Sequence, residues 1–311
     1  MTQKIENIDQ LVQMRDSLRK ATADAAAQGQ TEIRVCTGGG CIASGSLKVV
    51  DALKGAIDSH AIGGKVRVKC TGCMGPCSSG PVMQVGSTFY GNVSTDDVEE
   101  IVTSHLVGGK PVERLFAAEL NTDNQPRANV EEIDFFTSQT KVVLRNCGEI
   151  EPCSLEDYIE HQGYQGLARI IRGMKQEEVI DEVKTSGLRG RGGAGFPTWR
   201  KWQFTKDAPG DVKYVLCNAD EGDPGAFMDR SVLEGDPYSL IEGMTIAAFA
   251  IGAHEGFVYV RAEYPLAVER LQKSIDIARE AGLLGKNILG SGFDFELEIR
   301  MGSGAFVCGE E

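Results

Sequence analysis

Histidine is scarce and scattered: His60, His105, His161 and His254 stand singly in a chain of 311 residues, so they are given no chemistry. Positive charge is also short. Lys plus Arg number 32 against 45 Asp plus Glu, a net charge of -13, which argues against an electrostatic grip on nucleic-acid phosphates or anionic membranes. No apolar run is long: the longest, Met244 to Ala253, falls short of the ~20 residues of a membrane span or signal anchor. The polar start MTQKIENIDQ adds to the expectation of a soluble, cytoplasmic protein without a membrane span or a nucleic-acid partner. No internal repeat is evident. With 41% hydrophobic and 25% charged residues, the composition excludes disordered and collagen-like chains.

What abounds is glycine and cysteine. The 38 glycines are about 12% of the chain and gather in loops, as expected where backbone must approach a ligand closely. Cysteines number nine, an odd count, and five lie between Cys36 and Cys77, which favours metal binding over disulfides.

The length suggests two domains. Residues 5 to 26 have helical spacing, and Thr31 to Cys36 reads as a strand. A helix with Leu47, Val50 and Leu53 on one face follows, then strands at Lys65 to Lys69, Val82 to Val85 and Thr88 to Tyr90. Ser94 to Asp97 forms a capping-box pattern before a helix with Val98, Ile101 and Val102 inward. Residues 113–140 lose periodicity and read as a linker, which makes 1–112 one domain and 141–311 another. In the second, an opening strand at Lys141 to Leu144 and a helix from Gln176 to Ser186, stopped by Gly187, precede alternating elements. These are strand Tyr214 to Cys217, helix Ser239 to Ile251, strand Phe257 to Arg261, helix Leu266 to Ala281 and strand Phe293 to Ile299, a pattern predicting a mostly parallel, layered α/β domain.

Cys36-x4-Cys41 and Cys73-x3-Cys77 each put two thiolates on a loop leaving a strand, enough to surround a soft-metal centre from two sides. Iron–sulfur is the leading reading. Structural zinc more often uses C-x2-C pairs and histidine, and plant-type ferredoxins follow C-x4-C almost at once with C-x2-C, whereas 31 residues intervene here. A zinc-bearing binding protein remains an alternative. Cys70 is a spare thiol that pairs with Cys73 at C-x2-C spacing.

Leu188-Arg-Gly-Arg-Gly-Gly-Ala-Gly-Phe-Pro197 contains a formal G-x-G-x-x-G, but it follows a helix and runs into proline, unlike a dinucleotide fingerprint that leaves a strand. A phosphate or cofactor cradle fits it, with Arg189, Arg191 and Lys201 supplying charge; a flexible linker is the plainer reading. Strand Tyr214 to Cys217 ends in Asn218-Ala-Asp220-Glu221-Gly222-Asp223, which places carboxylates where α/β sheets bind ligands. Such acids repel phosphate and suit hydroxyl, ring N–H and carboxamide donors; a calcium loop or a solvated turn are the alternatives.

The first cysteine arrangement resembles the thioredoxin-like 2Fe-2S ferredoxin family, whose ligands follow C-x4-C then C-x3-C with Gly-Pro shortly after, matched by Cys73-Met-Gly-Pro-Cys77-Ser-Ser-Gly80-Pro81. The second half resembles the flavin-containing, NADH-oxidising subunit of respiratory complex I and its soluble relatives in NAD-linked hydrogenases and formate dehydrogenases. That resemblance rests on the glycine loop, Asn218-Ala-Asp-Glu-Gly222, Leu240-Ile-Glu-Gly243 and Gly302-Ser-Gly-Ala-Phe-Val-Cys-Gly-Glu-Glu311. It implies a thioredoxin-like 2Fe-2S ferredoxin domain joined to a layered α/β FMN-binding domain.

The resemblance further implies Cys36, Cys41, Cys73 and Cys77 as ligands of a 2Fe-2S cluster. FMN would lie against Gly190, Gly192, Gly193, Lys201, Asn218, Asp220, Glu221, Gly309 and Glu310. NADH would sit with its adenine between Phe196 and Phe204 and its nicotinamide end near Asp223 and Glu311. Asp at 223 and Phe at 306 depart from the Glu and Tyr usual in the respiratory enzymes. Cys217 and Cys308 are read as packed thiols, and Cys147 and Cys153 as isolated.

The implied function is electron input. Electrons from NAD(H) pass through FMN to iron–sulfur clusters of a multisubunit, conceivably bifurcating, hydrogenase or formate dehydrogenase. A small thioredoxin-like 2Fe-2S subunit and an iron–sulfur subunit would be the partners. Family members continue beyond Gly-Glu-Glu into a domain holding a 4Fe-4S cluster, so weak FMN retention is expected of these 311 residues alone. A non-catalytic electron-transfer or docking subunit with a degenerate flavin domain is the alternative.

Overall fold

β1 (Thr31–Cys36) and β2 (Val66–Thr71) run parallel in a computed structural model that describes residues 3–223 and 225–302. Their register pairs Thr31 with Val66 and Cys36 with Thr71, so both strands end side by side. β3 (Met83–Val85) pairs antiparallel with β1, and β4 (Thr88–Tyr90) antiparallel with β3, giving the order β2-β1-β3-β4. Helices α1 (Ile8–Ala27), α2 (Gly39–Ala43), α3 (Ser46–Ser59), α4 (Val98–Glu100), α5 (Asp134–Thr137) and α6 (Leu155–Glu160) follow one another in the chain, and α3 lays Val49, Val50, Leu53 and Ile57 on Ile33, Val35, Val85 and Tyr90. Val98, Ile101 and Val102 close the same core, behind the capping box in which Asp97 accepts the Ser94 amide at 2.7 Å. Leu47, expected to share a face with Val50 and Leu53, is 49% exposed: Val49 joins those two on the inner side instead.

The compact units do not divide at the predicted boundaries. One comprises residues 18–157 with 234–236; the other comprises 1–17, 158–233 and 237 onward. Residues 113–140 are no linker. Their short helical turns bring Leu115 to the main core and Ala117, Leu120 and Ile133 to a second cluster with Cys36, Cys41, Met74 and Phe89. Nor do Lys141 to Leu144 form a strand: they lie in a loop and turns, with Val142 and Val143 exposed. The turns that follow are held to β1 and β2 by charge. Asp157 pairs with Lys69 and Arg67 at 3.1 and 3.0 Å, and Glu149 with Arg34.

In the other unit β5 (Tyr214–Ala219), β6 (Glu255–Arg261) and β7 (Glu296–Gly302) make a wholly parallel sheet in that order, as the alternation predicts. α11 (Pro237–Ile251) is apolar nearly all round and is therefore enveloped: it packs on α7 (Gln165–Ile171), α8 (Gln176–Ser186), α9 (Thr198–Asp207), α12 (Pro265–Glu280), β5 and β6. Its one buried acid, Glu242, accepts the Tyr158 hydroxyl at 2.6 Å, the Tyr164 amide at 2.7 Å and the Leu167 amide at 3.0 Å, and so caps α7. Residues before Ser17 join this unit through the Ile5 amide, which donates to Ala281 at 2.8 Å, and through Leu11, which is wholly buried.

Candidate functional sites

The parallel pairing of β1 and β2 explains why the cysteine loops meet. Because Cys36 and Thr71 are neighbours in register, the loops carrying Cys41 and Cys73 leave one end of the sheet together. The Thr37 amide and hydroxyl both donate to the Thr71 carbonyl, at 2.8 and 2.9 Å, and tie the loops at their roots. Beyond the tie, a β-carbon at Gly38 would lie 3.0 Å from Cys73 Cα and Cβ, so a side chain there would press the two segments apart by a few tenths of an ångström.

All four predicted ligands converge. Cys73 Sγ and Cys77 Sγ stand 3.8 Å apart, and two thiolates on one tetrahedral metal with ~2.3 Å bonds would be about 3.8 Å apart. The Cys36 thiol hydrogen-bonds to both Cys41 and Cys73. Its bond to Cys41 and its burial push it up to about 11, while the same bond holds Cys41 below its ordinary value. The Cys73 thiol is pushed up too, chiefly by its bond to Cys36. Backbone groups of Gly38, Val82 and Gly75 hydrogen-bond to sulfur as well. Among the described residues no three or more His, Cys, Asp or Glu side chains surround a single ion position, and sulfurs that approach in pairs suit a centre whose metals each take two thiolates. Cys36 and Cys41 are buried and Cys77 is exposed, so the set has a sealed side and an open one. Cys70 packs against the main core. Cys147 is buried, and its thiol is pushed up to about 12 by burial and by Asp236.

The glycine loop is closed on itself. Gly190 donates to Phe196 at 2.8 Å and Thr198 to Leu188 at 3.1 Å, while Gly187 at φ 69° ends α8. Inside it, β-carbons at Gly192, Gly193 or Gly195 would meet nothing within 4 Å. Gly193 and Gly195 take positive φ, 105° and 61°, which favours glycine there, while no neighbour crowds Gly192 and the loop leaves its backbone open to approach. Lys201 is exposed on the first turn of α9, and Trp199 beside it lies under Lys184 and Arg200, 4.9 and 5.7 Å from the ring.

Phe196 and Phe204 face each other with ring centroids 6.5 Å apart at 44°. A flat ring held between two others needs about 7 Å, so modest rotations would admit one. Both are well exposed, at 38% and 61%, which no packing need explains.

At the end of β5, Asn218 Oδ1 accepts the Asp220 amide at 3.0 Å and shapes the acidic loop; Asp223 is exposed. Glu221, an expected flavin contact, has protein partners of its own. Its carboxylate accepts the Asp229 and Arg230 amides at 3.1 and 3.2 Å, capping α10 (Met228–Gly235), and the Tyr264 hydroxyl at 3.1 Å. Burial and the nearby Glu221 push the Asp229 carboxyl up. Sequence reasoning missed Asp229 because the cap spans seven intervening residues, far beyond local capping-box spacing, and Tyr264 because it lies 43 positions from Glu221. Gly309, Glu310, Glu311 and Cys308 lie outside the described residues.

Known proteins bear on both sites. Residues 183–311 match the family model of the Nuo51 FMN-binding domain, and residues 23–105 that of the thioredoxin-like 2Fe-2S ferredoxin. The chain is 61% identical over 173 residues to the NADP-reducing hydrogenase subunit HndC of Solidesulfovibrio fructosivorans, covering 56% of this chain and 35% of that one. It is 51% identical over 158 residues to an NADH-quinone oxidoreductase chain of Aquifex aeolicus, covering 51% and 37%. Against the NAD-reducing hydrogenase HoxS subunit alpha of Cupriavidus necator it is 38% identical over 242 residues, covering 78% and 38%. The chain thus spans between 35% and 38% of the length of these relatives.

Proposed function

Because the chain belongs, by its two domains, to the family of FMN-binding subunits found in complex I and the NAD(P)-linked hydrogenases, we propose that it is the electron-input subunit of a soluble oxidoreductase that oxidises NADH. The cofactors of the two domains are FMN and a 2Fe-2S cluster. FMN supplies the exchange of a two-electron hydride for single electrons, the form in which iron–sulfur centres accept them. The observation that carries the reading is the convergence of four thiols on a chain that also holds an open glycine cradle beside two exposed phenylalanines.

Each residue then has a task. The Gly190, Gly192 and Gly193 backbone and Lys201 hold the flavin phosphate; Asn218 and Asp220 receive ribityl or ring donors. Glu221 fixes the acidic loop by capping α10, and Gly309 and Glu310 complete the flavin site. Phe196 and Phe204 grip the adenine, and Asp223 and Glu311 orient the carboxamide end, so catalysis rests on alignment rather than on a proton donor. Met74, Phe89, Leu120 and Ile133 exclude water from the buried side of the thiolates. The partners are a small thioredoxin-like 2Fe-2S subunit and an iron–sulfur subunit of a hydrogenase or formate dehydrogenase, in the cytoplasm. Among the described residues no helix is long and apolar enough to cross a membrane.

Anaerobic purification with iron, sulfide and FMN assays, together with NADH-dependent dye reduction, tests this. Both cofactors with turnover are expected; cluster without flavin or dye reduction would leave a docking subunit, and zinc without visible absorption would end the iron–sulfur reading. Cys73→Ser should abolish the 2Fe-2S signal in electron paramagnetic resonance, and an unchanged spectrum would require other ligands.

A further inference from the structure

Residues 234–236, where α10 gives way to α11, belong to the unit that carries the cysteines, although 76 residues separate them from the rest of it. They are threaded among the cysteine loops. Glu234 is 5% exposed, and its Oε2 accepts the amide of Gly39, between Cys36 and Cys41, at 3.2 Å. Next to it Gly235 meets the second loop: a β-carbon at Gly72, adjacent to Cys73, would lie 2.5 Å from Gly235 Cα. A β-carbon at Gly235 itself would lie 2.6 Å from Cys147 Sγ, so both positions are restricted to glycine. Asp236, 1% exposed, accepts the Asn146 side-chain amide at 2.7 Å and anchors the segment.

We propose that Glu234 is a positioning residue that sets the reduction potential of the cluster held by Cys36, Cys41, Cys73 and Cys77, through a fixed negative charge on the Gly38–Cys41 turn. The inference rests on the assignment of those ligands. A carboxylate this well buried is poorly screened by solvent or salt, so its field reaches the metal centre. Reduction adds one electron to a cluster already bearing four thiolates, and a nearby negative charge opposes it. The charge therefore lowers the potential. The clasp of residues 234–236 thereby keeps the centre a low-potential carrier, suited to passing its electron onward.

The test uses the full chain, purified anaerobically with its cluster, and redox titration against dithionite with mediators, followed by electron paramagnetic resonance. Glu234→Gln keeps an oxygen for the Gly39 amide but removes the charge. It should ease reduction about tenfold in equilibrium constant, ~59 mV for one electron, with cluster content unchanged. Glu269→Gln, a surface change in α12, should leave the potential where it was. A loaded Glu234→Gln chain with the parental potential would overturn the inference. If the glutamine chain does not retain its cluster, Glu234→Asp decides: withdrawing the charge by one methylene should raise the potential by less than tenfold, and no change would refute the role. A parent chain without any cluster would instead refute the ligand assignment on which the inference rests.

Discussion

Replacing Glu242 by alanine should unravel the start of α7 and with it much of the stability of the second unit. Three donors lose their acceptor at once: the Tyr158 hydroxyl, the Tyr164 amide and the Leu167 amide, on residues that are 2%, 0% and 0% exposed. Each orphaned buried donor costs roughly 1–3 kcal/mol, and entry of water into the space vacated offsets part of that, so about 4 kcal/mol is expected. In a domain of this size ~1 kcal/mol moves Tm by about 2–4 °C, which makes the expected fall about 8–16 °C. Glutamine retains one acceptor oxygen and should lose roughly 1–2 kcal/mol. Both tryptophans of the chain, Trp199 and Trp202, pack in this unit, so thermal unfolding followed by their fluorescence reports it selectively. A Glu242→Ala chain whose Tm falls by less than about 3 °C would refute the view that this carboxylate is a structural cap.

Phe204→Ala separates binding from folding. At 61% exposure the side chain contributes under ~0.5 kcal/mol to stability, while loss of a stacking partner should raise the NADH KM in dye reduction about tenfold. An unaltered KM would remove Phe204 from the nucleotide site. Asp97 offers a pH test. Burial pushes its carboxyl up, but the Ser94 hydroxyl and amide and Arg114 outweigh this and hold it below 3.8. A depressed carboxyl adds stability that is complete above pH 3.8 and is lost as pH falls through the folded value. Asp97→Asn should therefore cost about 1 kcal/mol near pH 6 and nothing in strong acid, read as hydrogen exchange at Ile101 and Val102. A cost that persists in acid would mean that Asp97 acts through packing.

The parts of the fold legible in the sequence are those with a local period. The helix ended by Gly187, the alternating strands and the capping box at Ser94 all reappear because one buried face dictates their spacing. The meeting of the two cysteine segments was equally legible, since their places after β1 and β2 are written in the chain itself. What escaped has no period. Residues 113–140 bury isolated side chains, Leu115, Ala117, Leu120 and Ile133, from successive short turns, and such single contacts look like a linker. Val142 and Val143 imitate a strand while facing solvent. Glu221 and Glu234 accept hydrogen bonds from Tyr264 and Gly39, 43 and 195 positions away, which no window of sequence contains.

The interleaving of the two units also dictates an order of manufacture. On the ribosome the ferredoxin-like portion has emerged by residue 157, but Glu234–Asp236 follow only after 76 further residues. At ~5–20 residues per second that is a delay of roughly 4–15 s. During it, the Gly39 amide has no carboxylate and the packing against Gly72 is missing. Iron delivered early would enter a nest lacking its clasp.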